Sequence, residues 1–141
     1  MSAEENAALA RRIYDLWNER DIDAALELAT DDVEVALMAF PQTLTGRDGF
    51  RRFMQRFATA FPDMKKEITN QFASKDQVVS EFRLRGTHDG PLQIPTGVIP
   101  PTGRAVDLSV IEVMRIRDGK LTELRNYSDN ATLMRQLGVV E

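Results

Sequence analysis

The chain holds one histidine, His88, and no cysteine. Imidazole is the side chain whose unperturbed pKa lies nearest neutrality, so a neutral His88 ring can donate to or accept from a carbonyl or enolate oxygen. It reads equally as a strand-end histidine satisfied by a backbone group. Asp129 is the second candidate for moving a proton. Desolvation beside Tyr127 and Leu108 would disfavour its ionised form and carry its pKa toward the range useful at neutral pH. Asp129 also stands immediately before Asn130-Ala131-Thr132-Leu133, where an aspartate caps a helix, and the N–H donors of a cap shift the pKa the other way. Both readings stand at this point. The absence of cysteine removes disulfides, thiolate nucleophiles and Cys-ligated metals, and one histidine makes zinc chemistry a poor fit. Dinucleotide, Walker, zincin and nucleophile-elbow motifs are not found. What remains is acid/base chemistry with no cofactor and no metal.

Further polar residues sit on one candidate hairpin. Asp118-Gly119 suits a two-residue type I′ turn, in which both central residues take positive φ. Counted from that loop, Arg117 faces Lys120, Glu112 faces Arg125, Val110 faces Tyr127 and Leu108 faces Asp129. That face also carries Met114 and Ile116, so polar groups are interleaved with a buried surface. Glu112 and Arg125 then form an ion pair, because neither charge is tolerated alone on a buried face. The functional alternative is that Arg125 binds a carboxylate or enolate of a ligand while Glu112 orients it. Tyr127 reads as a pocket wall with a polar tip.

These residues need elements to position them. Ser2 and Glu5 match a capping box, and Leu9, Ile13, Leu16 and Trp17 recur at helical spacing. Tyr14 and Trp17 on this helix are core aromatics that can also line a cavity and contact a substrate. Asp21 or Asp23 caps a short helix through about Ala29, Val33 to Phe40 reads as a strand, and Gly46 to Gly49 as a turn. Phe50, Phe53, Met54, Phe57 and Phe61 form one helical stripe that Pro62 ends, core by its period. Thereafter the period is two, with strands near Met64 to Ala73, Val78 to His88, Val106 to Arg117 and Lys120 to Asp129. His88 falls on the apolar side of its strand. If that strand runs antiparallel beside Val106 to Arg117, His88 and Asp129 converge at one rim. The intervening segment Asp89 to Arg104, rich in proline and glycine, is expected to loop over that rim as a mobile lid.

A chain of 141 residues suits one domain, here 1–141, able to bury a core with an internal cavity. The net charge of −4, with basic residues scattered, gives no footprint for nucleic acid or an anionic bilayer. No run approaches the ~20 apolar residues of a spanning helix. The opening Met1-Ser2-Ala3-Glu4-Glu5 is acidic and unlike a signal peptide, so the expected location is cytoplasmic.

Three segments carry a family resemblance: Arg85-Gly86-Thr87-His88-Asp89-Gly90; Ile99-Pro100-Pro101-Thr102-Gly103-Arg104; and Asn126-Tyr127-Ser128-Asp129 followed by Leu133-Met134-Arg135-Gln136-Leu137-Gly138. Together they resemble the SnoaL-like polyketide and ester cyclases of the NTF2-like superfamily. The resemblance implies an α+β cone: a strongly curved antiparallel sheet, covered by N-terminal helices, enclosing a pocket for an apolar carbonyl compound. It also implies a homodimer, and an aspartate at the end of the last strand, here Asp129, acting as acid/base in an intramolecular aldol closure with His88 at the enolate oxygen. The segment Asp89 to Ile99 is longer than the commonest pattern, and Arg125 stands where an aromatic is frequent. The alternatives on this fold are a related lyase or isomerase, a hydrolase or dehydratase, and a non-catalytic binding module.

Overall fold

The capping box is present in the computed structural model, which describes residues 2–139: Ser2 Oγ accepts from the Glu5 N–H at 3.1 Å while Glu5 accepts from the Ser2 N–H at 3.0 Å. It starts helix α1 (Ala3–Asn18), which buries Ala10, Ile13, Tyr14, Leu16 and Trp17. Asp21 caps α2 (Ile22–Glu27) through the Ala24 N–H. Strand β1 (Ala29–Leu37) buries alternate residues Val33, Val35 and Leu37. The short, mostly exposed strand β2 (Gln42–Thr45) has no apolar alternation to announce it. Helix α3 (Gly46–Ala60) begins where the sequence suggests a turn, because Gly46, at φ +75°, lets the chain pass from β2 directly into a helix. The aromatic stripe of α3 divides: Phe50 and Met54 are buried, while Phe53 and Phe57 are half-buried.

Strands β3 (Lys65–Ala73) and β4 (Gln77–Thr87) follow, then β5 (Leu92–Ile94) and β6 (Gly97–Ile99), which pair with each other, then β7 (Ala105–Arg117), β8 (Lys120–Ser128) and helix α4 (Asn130–Leu137). The main sheet has the order β2-β1-β8-β7-β4-β3. Every pairing in it is antiparallel except β1 with β8, which is parallel, so the sheet is mixed. Register shifts in the β1–β8, β3–β4 and β7–β8 pairs bend and twist it. The helices cover the inner face, and their buried side chains and those of the strands form one apolar cluster. Among the described residues no helix is long and apolar enough to cross a membrane.

The segment from Asp89 to Arg104 is less free than its breakers suggest. The first of its two prolyl-threonyl-glycyl words makes the turn of a small hairpin and the second follows it, and its base is tied down by Asp89 and Gly90 N–H donation to the Ala60 carbonyl, both at 3.1 Å. Gly90 lies so close to the Thr59 carbonyl that a Cβ would stand 2.0 Å from that oxygen. No other residue fits that approach.

Candidate active site

Asp118 and Gly119 take φ of 51° and 76°, as the type I′ turn requires, and Arg117 does face Lys120. The register then slips by one residue: Ile116 pairs with Leu121, but Arg115 pairs with Glu123. Thr122 is the extra residue, and its hydroxyl donates to the Arg115 carbonyl at 3.1 Å. The slip has a physical cause. Leu121 and Leu124 are both buried, at 0% and 1% exposure, and a spacing of three cannot place two side chains on one face of a regular strand. Beyond the bulge the parity of β8 is reversed, so Glu112 faces Asn126 and Arg125 faces Val113.

The inner face therefore carries Glu112, 1% exposed, with both carboxylate oxygens engaged by neutral donors. The Tyr14 hydroxyl donates to Oε1 at 2.9 Å and the Asn126 amide to Oε2 at 2.8 Å. Burial, and then the adjacent Glu112 charge, push the Tyr14 phenol well above its ordinary range. It stays protonated, able to donate. One accepted bond per oxygen leaves a second lone pair on each.

Across the interior from Glu112 stands Lys66 of β3. Its Nζ lies 4.5 Å from the Trp17 ring centre, 5.4 Å from that of Tyr14 and 5.5 Å from that of Phe82. Burial lowers the Lys66 pKa, and the Glu112 charge opposes that shift. The strand is pinned beside α1 at this residue: the Asn18 side chain accepts from the Lys66 N–H and donates to its carbonyl, at 2.8 and 2.9 Å. Arg20 closes the same junction by donating to the carbonyls of Trp17, Phe61, Pro62 and Met64. Trp17 is fixed in turn by its Nε1–H bond to the Met54 carbonyl at 2.9 Å.

Trp17, Phe53, Lys66, Glu112 and Asn126 line an interior chamber with about 30 Å³ open to the centre of a water molecule. A second chamber of about 10 Å³, nearer the mouth, is lined by Phe40, Leu92, Leu108, Asp129, Asn130 and Leu133. Arg56, Phe57 and Ser128 border both, so the two are parts of one narrow cone. Burial lowers the Arg56 pKa, and its Nε is enclosed without a partner. A wider recess of about 470 Å³ is an open groove, bordered by outward-facing Glu81, Ser109, Ile111 and Tyr127.

Glu112 and Trp17 line the inner chamber, and Tyr14 is joined to it through its bond to Glu112. The expected Glu112–Arg125 pair is absent, because the bulge turns Arg125 to the outer face, where it bonds Glu123 at 2.7 Å. Tyr127 lies on that outer face, 41% exposed. Asp129 borders the mouth chamber as the N-cap of α4, with Oδ1 accepting from the Thr132 N–H at 3.0 Å and Oδ2 from the Thr132 hydroxyl at 2.6 Å. Those bonds lower its pKa. His88 is wholly buried, and its ring packs 5.4 Å from that of Phe61. The Thr102 N–H and hydroxyl both engage Nδ1, at 3.2 and 3.0 Å, so the neutral ring carries its proton on Nε2. Burial lowers the His88 pKa, and the residue is not among those lining either chamber. His88 and Asp129 are thus not assembled around one ligand space.

Sequence reasoning missed Lys66, Arg56 and Asn126. The Leu121/Leu124 spacing was the available signal for Asn126, since it demands the bulge. Arg56 and Lys66 belong to charged faces by period alone, and nothing local shows that they turn inward. Among the described residues no three histidine, aspartate or glutamate side chains gather as a metal site requires.

Comparison with known proteins gives a consistent picture. A model of the family described as SnoaL-like polyketide cyclase matches residues 7–137. No curated protein matches. A candidate SnoaL-like polyketide cyclase from Jannaschia sp. CCS1 superposes with a TM-score of 0.84 at 23% identity, covering 99% of this chain and 95% of that one. IdmH, a candidate polyketide cyclase from Streptomyces antibioticus, is 28% identical with a TM-score of 0.75, covering 94% and 97%. A candidate ketosteroid isomerase from Kribbella flavida has a TM-score of 0.69 at 20% identity, covering 90% and 79%, which places the architecture in the NTF2-like fold.

Proposed function

The chain belongs to the SnoaL-like polyketide cyclase family, and from that premise we propose that it is a cofactor-free acid/base enzyme of cyclase or isomerase type, acting on an activated carbonyl compound with Glu112 as its base. The observation that carries this reading is a carboxylate at 1% exposure, bordering the interior chamber and held in place by two neutral donors. In the proposed step a Glu112 oxygen takes a proton from the carbon next to the substrate carbonyl. The C–H electron pair becomes the enolate, and the charge collects on the carbonyl oxygen, where the Lys66 ammonium can donate a hydrogen bond. The Glu112 carboxyl then returns its proton, to carbon in an isomerisation or to the new alkoxide after ring closure.

Asp129 fits the base role less well, since exposure and capping both favour its ionised, committed form. It fits a place at the mouth, where it borders the path inward. The inner and mouth chambers are small, so a substrate with several rings must displace Phe57 and Arg56, which stand between them. We further propose a homodimer formed across the outer face of the sheet, where Met38, Ile111 and Tyr127 leave apolar surface exposed.

The test is deuterium exchange into the methylene of ethyl benzoylacetate, followed by NMR. Exchange catalysed by the wild type and lost in folded Glu112→Gln is expected. Exchange unchanged in that variant removes Glu112 as the base, and no catalysis by any variant favours the binding-module alternative.

A further inference from the structure

The cone interior holds a charge with no counterpart. Lys66 and Glu112 offset each other across the inner chamber, which leaves Arg56. Other arginines of this protein are satisfied in visible ways: Arg47, Arg83, Arg115 and Arg125 each meet a carboxylate, and Arg20 is held by backbone carbonyls. Arg56 has an enclosed, unpartnered Nε, and among the described residues no carboxylate pairs with it. Its flat neighbours are aromatic, with Phe57 and Phe40 ring centres 5.1 and 6.0 Å from the guanidinium carbon. Asp129 shares the mouth chamber but spends both oxygens on Thr132.

Arg56 is half-buried, and enclosing its Nε without a partner carries a desolvation cost that an apolar residue of that length would not. The cost is recovered if a ligand supplies the missing anion. Guanidinium presents a planar fork that matches a carboxylate with two parallel N–H···O bonds, and the neighbouring Phe57 and Phe40 rings limit the water that would compete. Arg56 also stands at the boundary of the two chambers, so an anion bound there would leave the rest of the molecule reaching inward to Glu112 or outward to the mouth.

We propose that Arg56 is a substrate-specificity residue that receives a carboxylate, so that the substrate is a carbonyl compound bearing a free acid group on a largely apolar frame. This names the substrate class of the site proposed above and rests on that reading. Binding of the acid moves Arg56 out of the partition and joins the two chambers, which gives the apolar frame its room.

The test is an NMR titration of the whole protein with benzoate and with benzamide, which share shape and differ in charge. Wild type should bind benzoate about tenfold more tightly than benzamide, the margin expected of a charge-assisted pair. Arg56→Met should bring the two affinities together, and Arg56→Lys should keep part of the preference. Glu112→Gln, which removes a like charge from the interior, should retain the preference while losing exchange. Because Arg56→Met deletes an unpaired charge, its Tm should rise, which also shows that it folds. No benzoate binding by the wild type, equal affinity for the two probes, or a preference that survives Arg56→Met overturns the proposal. If the preference depends on Arg56 while Glu112→Gln exchanges normally, the carboxylate site stands and the base assignment falls; the reverse pattern separates them the other way.

Discussion

Glu112 and Asp129 both belong to the hairpin that closes the sheet and its continuation, yet their carboxylates occupy opposite environments. Asp129 is exposed, and both its oxygens are committed to Thr132 in the first turn of α4. Glu112 is buried, is held by a phenol and an amide that remain neutral, and faces an ammonium enclosed by three aromatic rings. A cap stabilises an anion by giving it donors and so makes it a weaker base. Glu112, with one donor on each oxygen, keeps a second lone pair on each for a substrate proton. A carboxylate's chemistry here is set by what surrounds it more than by its place at the end of a strand.

The largest effect should separate the two directly. Glu112→Gln is expected to lower α-proton exchange by ~10²–10⁴-fold, the usual worth of a positioned general base, while Asp129→Asn stays near wild type. Equal losses in both variants would erase the distinction. Next in size, Tyr14→Phe leaves Glu112 Oε1 without its donor and should lower stability by about 1–3 kcal/mol in urea unfolding. A loss below that range would mean water replaces the phenol.

His88 supplies a pH test of the sealed rim. Burial holds its folded pKa below the ordinary value of 6.5, so in the unfolded chain the ring takes up a proton at a higher pH than in the fold. Above that ordinary value neither state is protonated and its contribution to stability is full; as pH falls from there toward the folded pKa, the unfolded state gains protons first and stability declines. A His88→Gln variant should show a flatter stability profile in that window. Identical slopes would place the ring in contact with water. The smallest effect is expected on the outer face: Arg125→Ala removes a part-exposed pair with Glu123 and should cost under about 1 kcal/mol. A cost several times larger would mean that Arg125 reaches a buried partner, against the observed register.

Much of the fold was legible because its signals are local. The capping box at Ser2, the stripe on α3, the alternation Val106, Leu108, Val110, Met114, Ile116 and the Asp118-Gly119 turn each report on backbone within a few residues, and each element forms over those residues, α3 starting about a turn earlier at Gly46. Period two carried through Thr122 gives the wrong inner face for β8 beyond the bulge. The conflict between Leu121 and Leu124 was visible, but period alone does not say which residue bulges.

By itself the sequence determined the order of the longer elements, though not β2, β5 or β6, together with the tight hairpin and the family, since local propensity, turn chemistry and short motifs act over neighbouring residues. It also determined that Glu112 lies on a buried face, because its alternation with apolar neighbours is unbroken. Only the tertiary structure decided that Tyr14, Lys66, Arg56 and Asn126 join it. They come from α1, β3, α3 and β8, and side chains distant in sequence meet only where the bent sheet and its covering helices bring them together. It likewise decided that Arg125 points away, since one extra residue in a strand reverses the face of every residue beyond it.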